Sequence, residues 1–293
     1  QREGRPYALA QPQLAKLPVV SPGGPAGINK KPDLEGILRV RPETVFMTYA
    51  DPSLADEIQR LLGVPVVVLS YGRFGTFDQA IQASLRLAGR TLGRRDRAER
   101  VIEFIEAARR NLGRRVAGVS DATRLSVYAG GIGFRGTHGI ESTDAEYTPF
   151  LWLQAKNVVA DRAKERHLFL DREELLRLDP ETVFLDGGGL SNIAADVGRR
   201  PEYYRRLRAF RDRRVFTLYP FNWYTTNVET VLADAYAVGK ILHPDRFRDV
   251  ELPRRADEIF RFMVGAPVYA EMEKAYGPLG GRPAFLASAD PRR

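Results

Sequence analysis

The chain has no cysteine among its 293 residues. Disulfide scaffolds, thiolate zinc sites, iron–sulfur clusters and cysteine nucleophiles are therefore excluded. Long apolar runs are also missing, because no stretch approaches the ~18 residues that are needed to span a bilayer. The opening residues, QREGRPYALA, do not have the pattern of a signal peptide. These absences leave an ordinary globular composition, with 44% hydrophobic and 28% charged residues.

Sequence signatures of enzymes are missing as well. The chain has no H-E-x-x-H, G-x-S-x-G, Walker or kinase motif. The acidic residues Glu141, Asp144 and Glu146 lie close together near Ser142, but three acids in a polar stretch are typical of a solvated loop. The sequence therefore favours a binding protein without a resident cofactor over an enzyme.

A basic charge balance raises the question of nucleic acid. The formal net charge is +8 and the isoelectric point is near 9.7. However, the arginines alternate with acids at helical spacing in segments such as EAARRNLGRR and YYRRLRAFRDRR. Such runs are typical of solvated helix faces, and no nucleic-acid recognition motif accompanies them. We therefore expect no nucleic-acid partner.

The segment YAGGIGFRGTHGIEST (128–143) contains the G-x-G-x-x-G spacing of a dinucleotide-binding loop at 131–136. A dinucleotide site also requires a helix directly after the glycines, whose N-terminus binds the pyrophosphate. Here the glycines lead into a polar, β-branched stretch that contains Pro149. The sequence therefore favours a loop over a nucleotide site. Its glycines would allow the backbone to approach a different ligand closely.

An internal repeat organises the chain. The segment LEGILRVRPETVFMTYA (34–50) matches REELLRLDPETVFLDGG (172–188), and VPVVVLSYGRF (64–74) matches RRVFTLYPFNWY (213–224). Each half predicts the order helix, strand, helix, strand, helix, with apolar β-branched strands. This order is typical of a parallel sheet with helical crossovers.

The repeat predicts an α/β fold with two Rossmann-like lobes that are joined by a single long helix. The predicted boundaries are an N-terminal lobe at 1–93, a connecting helix at 94–118 and a C-terminal lobe at 119–293. Ligands of open α/β sheets bind beyond the carboxyl ends of the strands. We therefore expect a ligand cleft between the lobes.

With this repeat, the chain resembles the solute-binding proteins of ABC importers, in particular the group that takes up ferric siderophores, haem and cobalamin. The resemblance rests on the duplicated unit of the type L-E-x-I-L-x-x-x-P-E-x-V-F. It also rests on Tyr147-Thr-Pro-Phe after the loop G-x-x-G-x-H-G-I-x-S-T. It implies an extracytoplasmic protein, periplasmic or membrane-anchored, that acts as a monomer with an ABC permease as its partner.

The chain departs from this family at its N-terminus. Members usually begin with an additional strand, helix and strand before the equivalent of GRPYALA. The expectation is therefore that the N-terminal lobe lacks this unit. A signal or lipoprotein segment would be expected upstream of the present sequence.

The candidate ligand contacts follow predicted strands. Arginine guanidinium groups form charge-assisted hydrogen bonds with anionic ligands, and aromatic rings pack against macrocycles or aromatic chelators. Glycine and asparagine complete the set by bringing backbone and amide groups to the ligand. The predicted ligand-binding residues are Tyr49, Tyr71, Arg73, Gly131, Arg135, His138, Tyr147, Asn222, Trp223 and Tyr224.

Three further residues have two interpretations each. His138 is either a ligand to a chelated metal or a loop histidine bonded to the backbone. Glu35 and Glu173 occupy matching positions near helix starts, where glutamate favours the helix dipole. In the resembled family, one acidic residue of each lobe docks on arginines of the permease. The symmetric placement favours that role for both glutamates.

The predicted function is to capture an iron chelate, such as a siderophore, haem or a cobalamin-like molecule, and to deliver it to an ABC permease. A molybdate- or tungstate-type oxyanion is the alternative ligand, because glycine amides and arginine suit either. An alternative of another class is a bilobed chelatase-like enzyme. Such an enzyme would require more His, Cys or acidic ligands than the predicted cleft supplies.

Overall fold

The computed structural model describes residues 2–21, 30–48, 50–70, 72, 77–162 and 166–287. The helices are α1 (Pro6–Ala10), α2 (Leu34–Val40), α3 (Pro52–Leu62), α4 (Gln79–Thr91), α5 (Arg95–Val116), α6 (Thr148–Trp152), α7 (Arg172–Leu178), α8 (Leu190–Arg199), α9 (Pro201–Arg206), α10 (Arg208–Arg211), α11 (Val228–Leu242), α12 (Leu252–Val264), α13 (Tyr269–Tyr276) and α14 (Ala284–Ala287). The strands are β1 (Val45–Thr48), β2 (Val66–Leu69), β3 (Ser126–Gly130), β4 (Ser142–Asp144), β5 (Lys156–Asn157), β6 (His167–Phe169), β7 (Thr182–Asp186), β8 (Val215–Leu218), β9 (Asn222–Trp223) and β10 (Thr225–Thr226). None of the helices described is long and apolar enough to cross a membrane.

The internal repeat is visible in the local geometry of the first helix of each half. The side chains of Asp33 and Asp171 cap α2 and α7 by accepting a hydrogen bond from the amide three residues further on, at 2.9 and 2.7 Å. Both helices are seven residues long. Each ends at a residue with left-handed backbone geometry, Arg41 with φ 48° and Asp179 with φ 35°. A strand of the parallel sheet follows in each case.

The chain divides into two compact units. One comprises residues 11–106 and 224–226. Its sheet is the parallel pair β1–β2, in which Val45 is opposite Val66. Ile37, Ile58 and Leu62 form the buried centre of its core, so α2 and α3 pack through their apolar faces.

The other unit comprises residues 1–10, 107–223 and 227–293. Its sheet has the strand order β5-β3-β7-β8, and all neighbouring pairs are parallel. Strand β7 is buried along its whole length, as expected for a central strand with both faces covered. The buried core of this unit includes residues of the sheet and of the helices beside it: Tyr128, Ile140, Val183, Leu185, Ile193, Tyr204, Leu207 and Val215.

The predicted α/β class is confirmed, because both units have parallel strands connected by helices. The long helix α5 runs from Arg95 to Val116, and the division between the units falls within it. Residues up to Ala10 group with the C-terminal half of the chain and not with the N-terminal half. The predicted domain boundaries at 1–93, 94–118 and 119–293, and the missing N-terminal unit, stay predictions.

Candidate functional site

Three loops leave the same edge of the four-stranded sheet. Strands β3, β7 and β8 are parallel neighbours that end at Gly130, Asp186 and Leu218. The loops that follow them, 131–139, 187–189 and 219–221, therefore begin side by side at the carboxyl edge. In open α/β sheets this edge is where ligands bind.

The first two of these loops meet backbone to backbone. A Cβ atom added to Gly189 would lie 2.6 Å from Cα of Gly131 and 2.8 Å from the carbonyl oxygen of His138. Gly131 itself has φ 80°, a conformation that favours glycine. The glycines thus serve close packing between loops. The chain then continues into strand β4 and not into a helix, so the geometry of a dinucleotide site is absent from this loop.

Strand β9, which follows the third loop, is bonded to the first loop. The side-chain amide of Asn222 donates a hydrogen bond to the carbonyl oxygen of Gly133. The neighbouring indole of Trp223 lies against two glycines, because a Cβ atom would come within 2.7 Å of the ring at Gly4 and 2.8 Å at Gly188. Both residues were predicted as ligand contacts. Their observed contacts join the loops to one another, and a ligand contact stays a prediction for each.

The tip of the first loop, residues 134–137, is exposed. Arg135 has a left-handed φ of 53°, and its guanidinium carbon lies 5.5 Å from the ring centroid of Phe134. The amide of Phe134 donates a hydrogen bond to the carbonyl oxygen of Gly136. The amides of Arg135, Gly136 and Thr137 donate none to a described residue. The tip therefore offers a guanidinium group and three consecutive amide donors. Ligand binding by Arg135 and Gly131 stays a prediction.

Histidine 138 is bonded within the same loop. Its Nε2 lies 2.7 Å from the carbonyl oxygen of Phe134, and its ring packs against Phe169 in a T-shaped arrangement. This contact agrees with the interpretation of a loop histidine bonded to the backbone. Among the described residues, no group of three or more His, Cys, Asp or Glu side chains could hold a metal ion.

A second histidine, His167, supports the loop from strand β6. Its ring stacks on Phe134 with centroids 4.2 Å apart, and its Nε2 lies 2.9 Å from Oγ of Ser142. Burial, together with the charge of His138, lowers the pKa of His167 to about 4. The imidazole is therefore neutral near pH 7.

Two buried carboxyl groups lie beneath the loops, and neither was among the predicted ligand-binding residues. Asp186 is 3% exposed, and Asp234 of α11 is fully buried. Burial raises the pKa of Asp186 to about 8 and the pKa of Asp234 well above its ordinary value. A sequence signal existed for Asp234, because it interrupts the otherwise apolar stretch of α11, which is buried on nearly every side.

Tyr147, which precedes α6, was predicted to contact the ligand. It is 1% exposed, and its ring packs against Phe150 and Phe221 at centroid distances of 4.7 and 5.5 Å. Its hydroxyl group is buried and has no hydrogen-bond partner in the part of the chain that is described. The structure gives this tyrosine an interior position, and its contact with a ligand stays a prediction.

Four predicted ligand contacts remain. One is an exposed residue, and the other three lie outside the described residues. Tyr224 is 42% exposed and has φ 70°. Tyr49, Tyr71 and Arg73 are outside the described part of the chain. Their roles stay predictions.

The predicted permease-docking residues are both exposed. Glu35 and Glu173 lie in the first turn of α2 and α7, at matching positions of the repeat. Glu173 also lines an open surface cavity of about 900 Å³. The other lining residues are Glu141, Leu170, Asp171, Arg172 and Arg177. Accessible carboxylates at both positions are compatible with docking, which stays a prediction.

Comparisons with known proteins agree with this architecture. The molybdate-binding protein MolA of Haemophilus influenzae is 22% identical over 282 residues, which cover 88% of this chain and 75% of MolA. A periplasmic solute-binding protein of Veillonella parvula has a TM-score of 0.72 at 18% identity, over 94% of this chain and 80% of that one. A periplasmic haem-binding protein of Pseudomonas aeruginosa has a TM-score of 0.58 at 20% identity, over 82% and 84% of the two chains.

The family assignment comes from the sequence match of residues 18–220 to the family described as periplasmic binding protein. The resemblance predicted from the duplicated units is thereby confirmed. Members of this family are transport binding proteins and not enzymes, and membership implies an extracytoplasmic location. The chain therefore belongs to the periplasmic binding protein family, the solute-binding proteins of ABC transporters.

Proposed function

We propose that this protein captures a small oxyanion of the molybdate type and delivers it to the permease of an ABC importer. The observation that carries the proposal is the exposed tip of loop 131–139. There the amides of Arg135, Gly136 and Thr137 donate no hydrogen bond to a described residue, and Arg135 adds its guanidinium group. Backbone N–H groups and a charge-assisted hydrogen bond are suitable donors to an oxyanion.

The aromatic residues favour a small ligand over a large one. Tyr147 is buried, and the indole of Trp223 is already in contact with Gly4 and Gly188. Neither ring is therefore open for stacking against a macrocycle in this conformation. The molybdate-binding relative supports the same ligand class.

An iron chelate is the second candidate, and it has an observation of its own. Phe134 is 41% exposed directly beside Arg135, so an apolar face and a positive charge are presented together. This combination suits an anionic chelate that carries aromatic or apolar groups. The haem-binding neighbour in the fold comparison makes this ligand class worth testing in parallel.

Calorimetry tests the proposal most directly. The purified protein is titrated with molybdate, tungstate, sulfate, a ferric siderophore and haem under the same conditions. We expect heat of binding with molybdate and tungstate and none with sulfate, because sulfate is smaller. Saturable binding of the chelate or of haem, without binding of any oxyanion, replaces the first candidate with the second.

A further inference from the structure

Two loops of the carboxyl edge are each held from below by one buried carboxyl group. Oδ1 of Asp186 accepts a hydrogen bond from the amide of Gly188 at 2.8 Å. Oδ1 of Asp234 accepts one from the amide of Tyr219 at 3.0 Å. The second oxygen of each carboxyl group is buried without a hydrogen-bond partner among the described residues. Each aspartate therefore fixes the first residues of one loop and has one oxygen left unbonded in the interior.

The two carboxyl groups influence each other and have acidic or phenolic neighbours. Asp186 acts electrostatically on Asp234, and both act on the buried hydroxyl of Tyr147. Tyr219 interacts electrostatically with Asp234, and Tyr276 with Asp186. Asp144 also acts on Tyr147 and is itself paired with Arg166 at 2.8 Å. No cation among the described residues acts on Asp186 or Asp234, so burial favours their neutral forms.

We propose that Asp186 and Asp234 are positioning residues that hold loops 187–189 and 219–221 in the geometry for anion binding only while both carry their protons. Loss of either proton places a negative charge next to the other buried carboxyl group, and the repulsion acts on the loops that the two groups hold. The loops then shift and the anion is repelled. The anion in this inference is taken from the proposed function. The dependence of the loop geometry on the two protons does not require a ligand.

The chain contains a natural reporter of this geometry. The indole of Trp223 lies against Gly188, the residue whose amide Asp186 holds. The second tryptophan of the chain, Trp152, is replaced by Phe so that emission comes from Trp223 alone. Emission is followed from pH 6 to 9.5, and far-ultraviolet circular dichroism verifies that the protein stays folded.

We expect the emission of Trp223 to change with a midpoint near pH 8, the pKa of Asp186. The variants Asp186→Asn and Asp234→Asn keep the shape and an accepting oxygen but cannot ionise, so the transition should move or disappear in each. Asp56→Asn, an exposed aspartate of α3, is the matched control and should titrate like the parent. A flat emission curve in the folded parent, or an unchanged transition in both buried variants, overturns the proposal.

A second arm uses molybdate as the probe. Because the loss of a single proton from the pair is enough to end binding, the dissociation constant should rise about tenfold for each pH unit above the midpoint. In Asp186→Asn or Asp234→Asn this loss should be smaller than in the parent. A pH-independent affinity in the parent contradicts the positioning role. If molybdate does not bind at any pH, the proposed ligand is wrong, and the emission arm alone decides the loop geometry.

Discussion

At the scale of single residues, Arg135 is the side chain on which the proposed oxyanion site depends most. Its position on an exposed loop tip means that its removal should affect binding and leave folding intact. We expect Arg135→Ala to weaken molybdate binding by about 1.5–3 kcal/mol, the range for hydrogen bonds to charged groups. Thermal stability without ligand should change by less than about 0.5 kcal/mol.

Calorimetry and thermal melts check this prediction. Arg211→Ala is the matched control, because Arg211 is also exposed but lies in α10, before the amino end of strand β8. It should leave the affinity unchanged. Normal binding by Arg135→Ala combined with a lower melting temperature would assign Arg135 a structural role and place the site elsewhere.

His167 gives a prediction for acid solution. Its pKa in the folded protein is about 4, below its ordinary value of 6.5, so folding favours the neutral ring. The contribution of this histidine to stability is therefore complete above pH 6.5 and is lost as the pH falls toward 4. Denaturant titrations give the free energy of unfolding at each pH between 7 and 4. This free energy should fall more steeply with falling pH in the parent than in His167→Gln. Parallel curves would contradict the prediction, since the carboxylates that titrate in this window are common to both proteins.

At the scale of elements, the repeat extends to the helix caps. Asp33 and Asp171 make the same capping hydrogen bond in α2 and α7. We expect Asp33→Ala and Asp171→Ala each to lower the free energy of unfolding by about 0.5–2 kcal/mol. Chemical denaturation measures this loss. The control variant is Asp56→Ala, at an exposed position in the middle of α3. An effect no larger than that of the control would show that the caps contribute little.

The same elements show what sequence reasoning could predict. The order of helices and strands in both halves follows from local periodicity and from the Pro-Glu-Thr-Val-Phe motif, so the repeat and the fold class were accessible. The two short helices α9 and α10, between α8 and β8, were not predicted. These helices occur in the second half of the repeat only, so the comparison of the two halves does not predict them.

The candidate site was less accessible from sequence because its geometry depends on contacts between distant segments. The glycines of loop 131–139 were recognised, but their role in packing against Gly189 is a tertiary contact. The burial of Asp186 and Asp234 was missed for the same reason. An aspartate is expected at the surface, but Asp234 is fully buried in α11, a helix that packs against α6 and α12.

At the scale of the whole molecule, stability should depend on pH through a third buried acid. Glu229 of α11 is 6% exposed, and burial raises its pKa to about 7. The folded protein thus keeps a proton that the unfolded chain loses near pH 4.5. The contribution of this group is complete at acidic pH and is lost as the pH rises through 7.

Replacement by the neutral amide tests this dependence. We expect Glu229→Gln to be more stable than the parent at pH 8 by on the order of 3 kcal/mol, because each pKa unit corresponds to about 1.4 kcal/mol. At pH 4 the two proteins should be similar. Denaturant unfolding at both pH values measures the difference. Equal stabilities at pH 8 would contradict the assigned ionisation.

Delivery to the permease gives the last prediction for the whole molecule. Glu35→Lys and Glu173→Lys should each reduce uptake in cells by at least about tenfold, because a charge reversal removes an attraction and adds a repulsion. Molybdate binding by the purified variants should stay normal, since neither residue lies on the loop tip. Glu271→Lys is the control, on an exposed glutamate of α13. Uptake at the parental level in both docking variants would show that neither glutamate contributes to the interface with the permease.

The exposed tip at residues 134–137 also makes the protein suitable as an optical sensor. Because the chain has no native thiol, a single cysteine introduced at Thr137 would be the only site for a maleimide dye. Thr137 is exposed, and the neighbouring His138 holds the loop through the contact of its Nε2 with the carbonyl oxygen of Phe134 at 2.7 Å, so the attached fluorophore would sit on a loop with a defined anchor. Binding of an anion beside it would change the polarity around the dye. A solution of the labelled protein would then report the concentration of that anion as a change in colour or brightness.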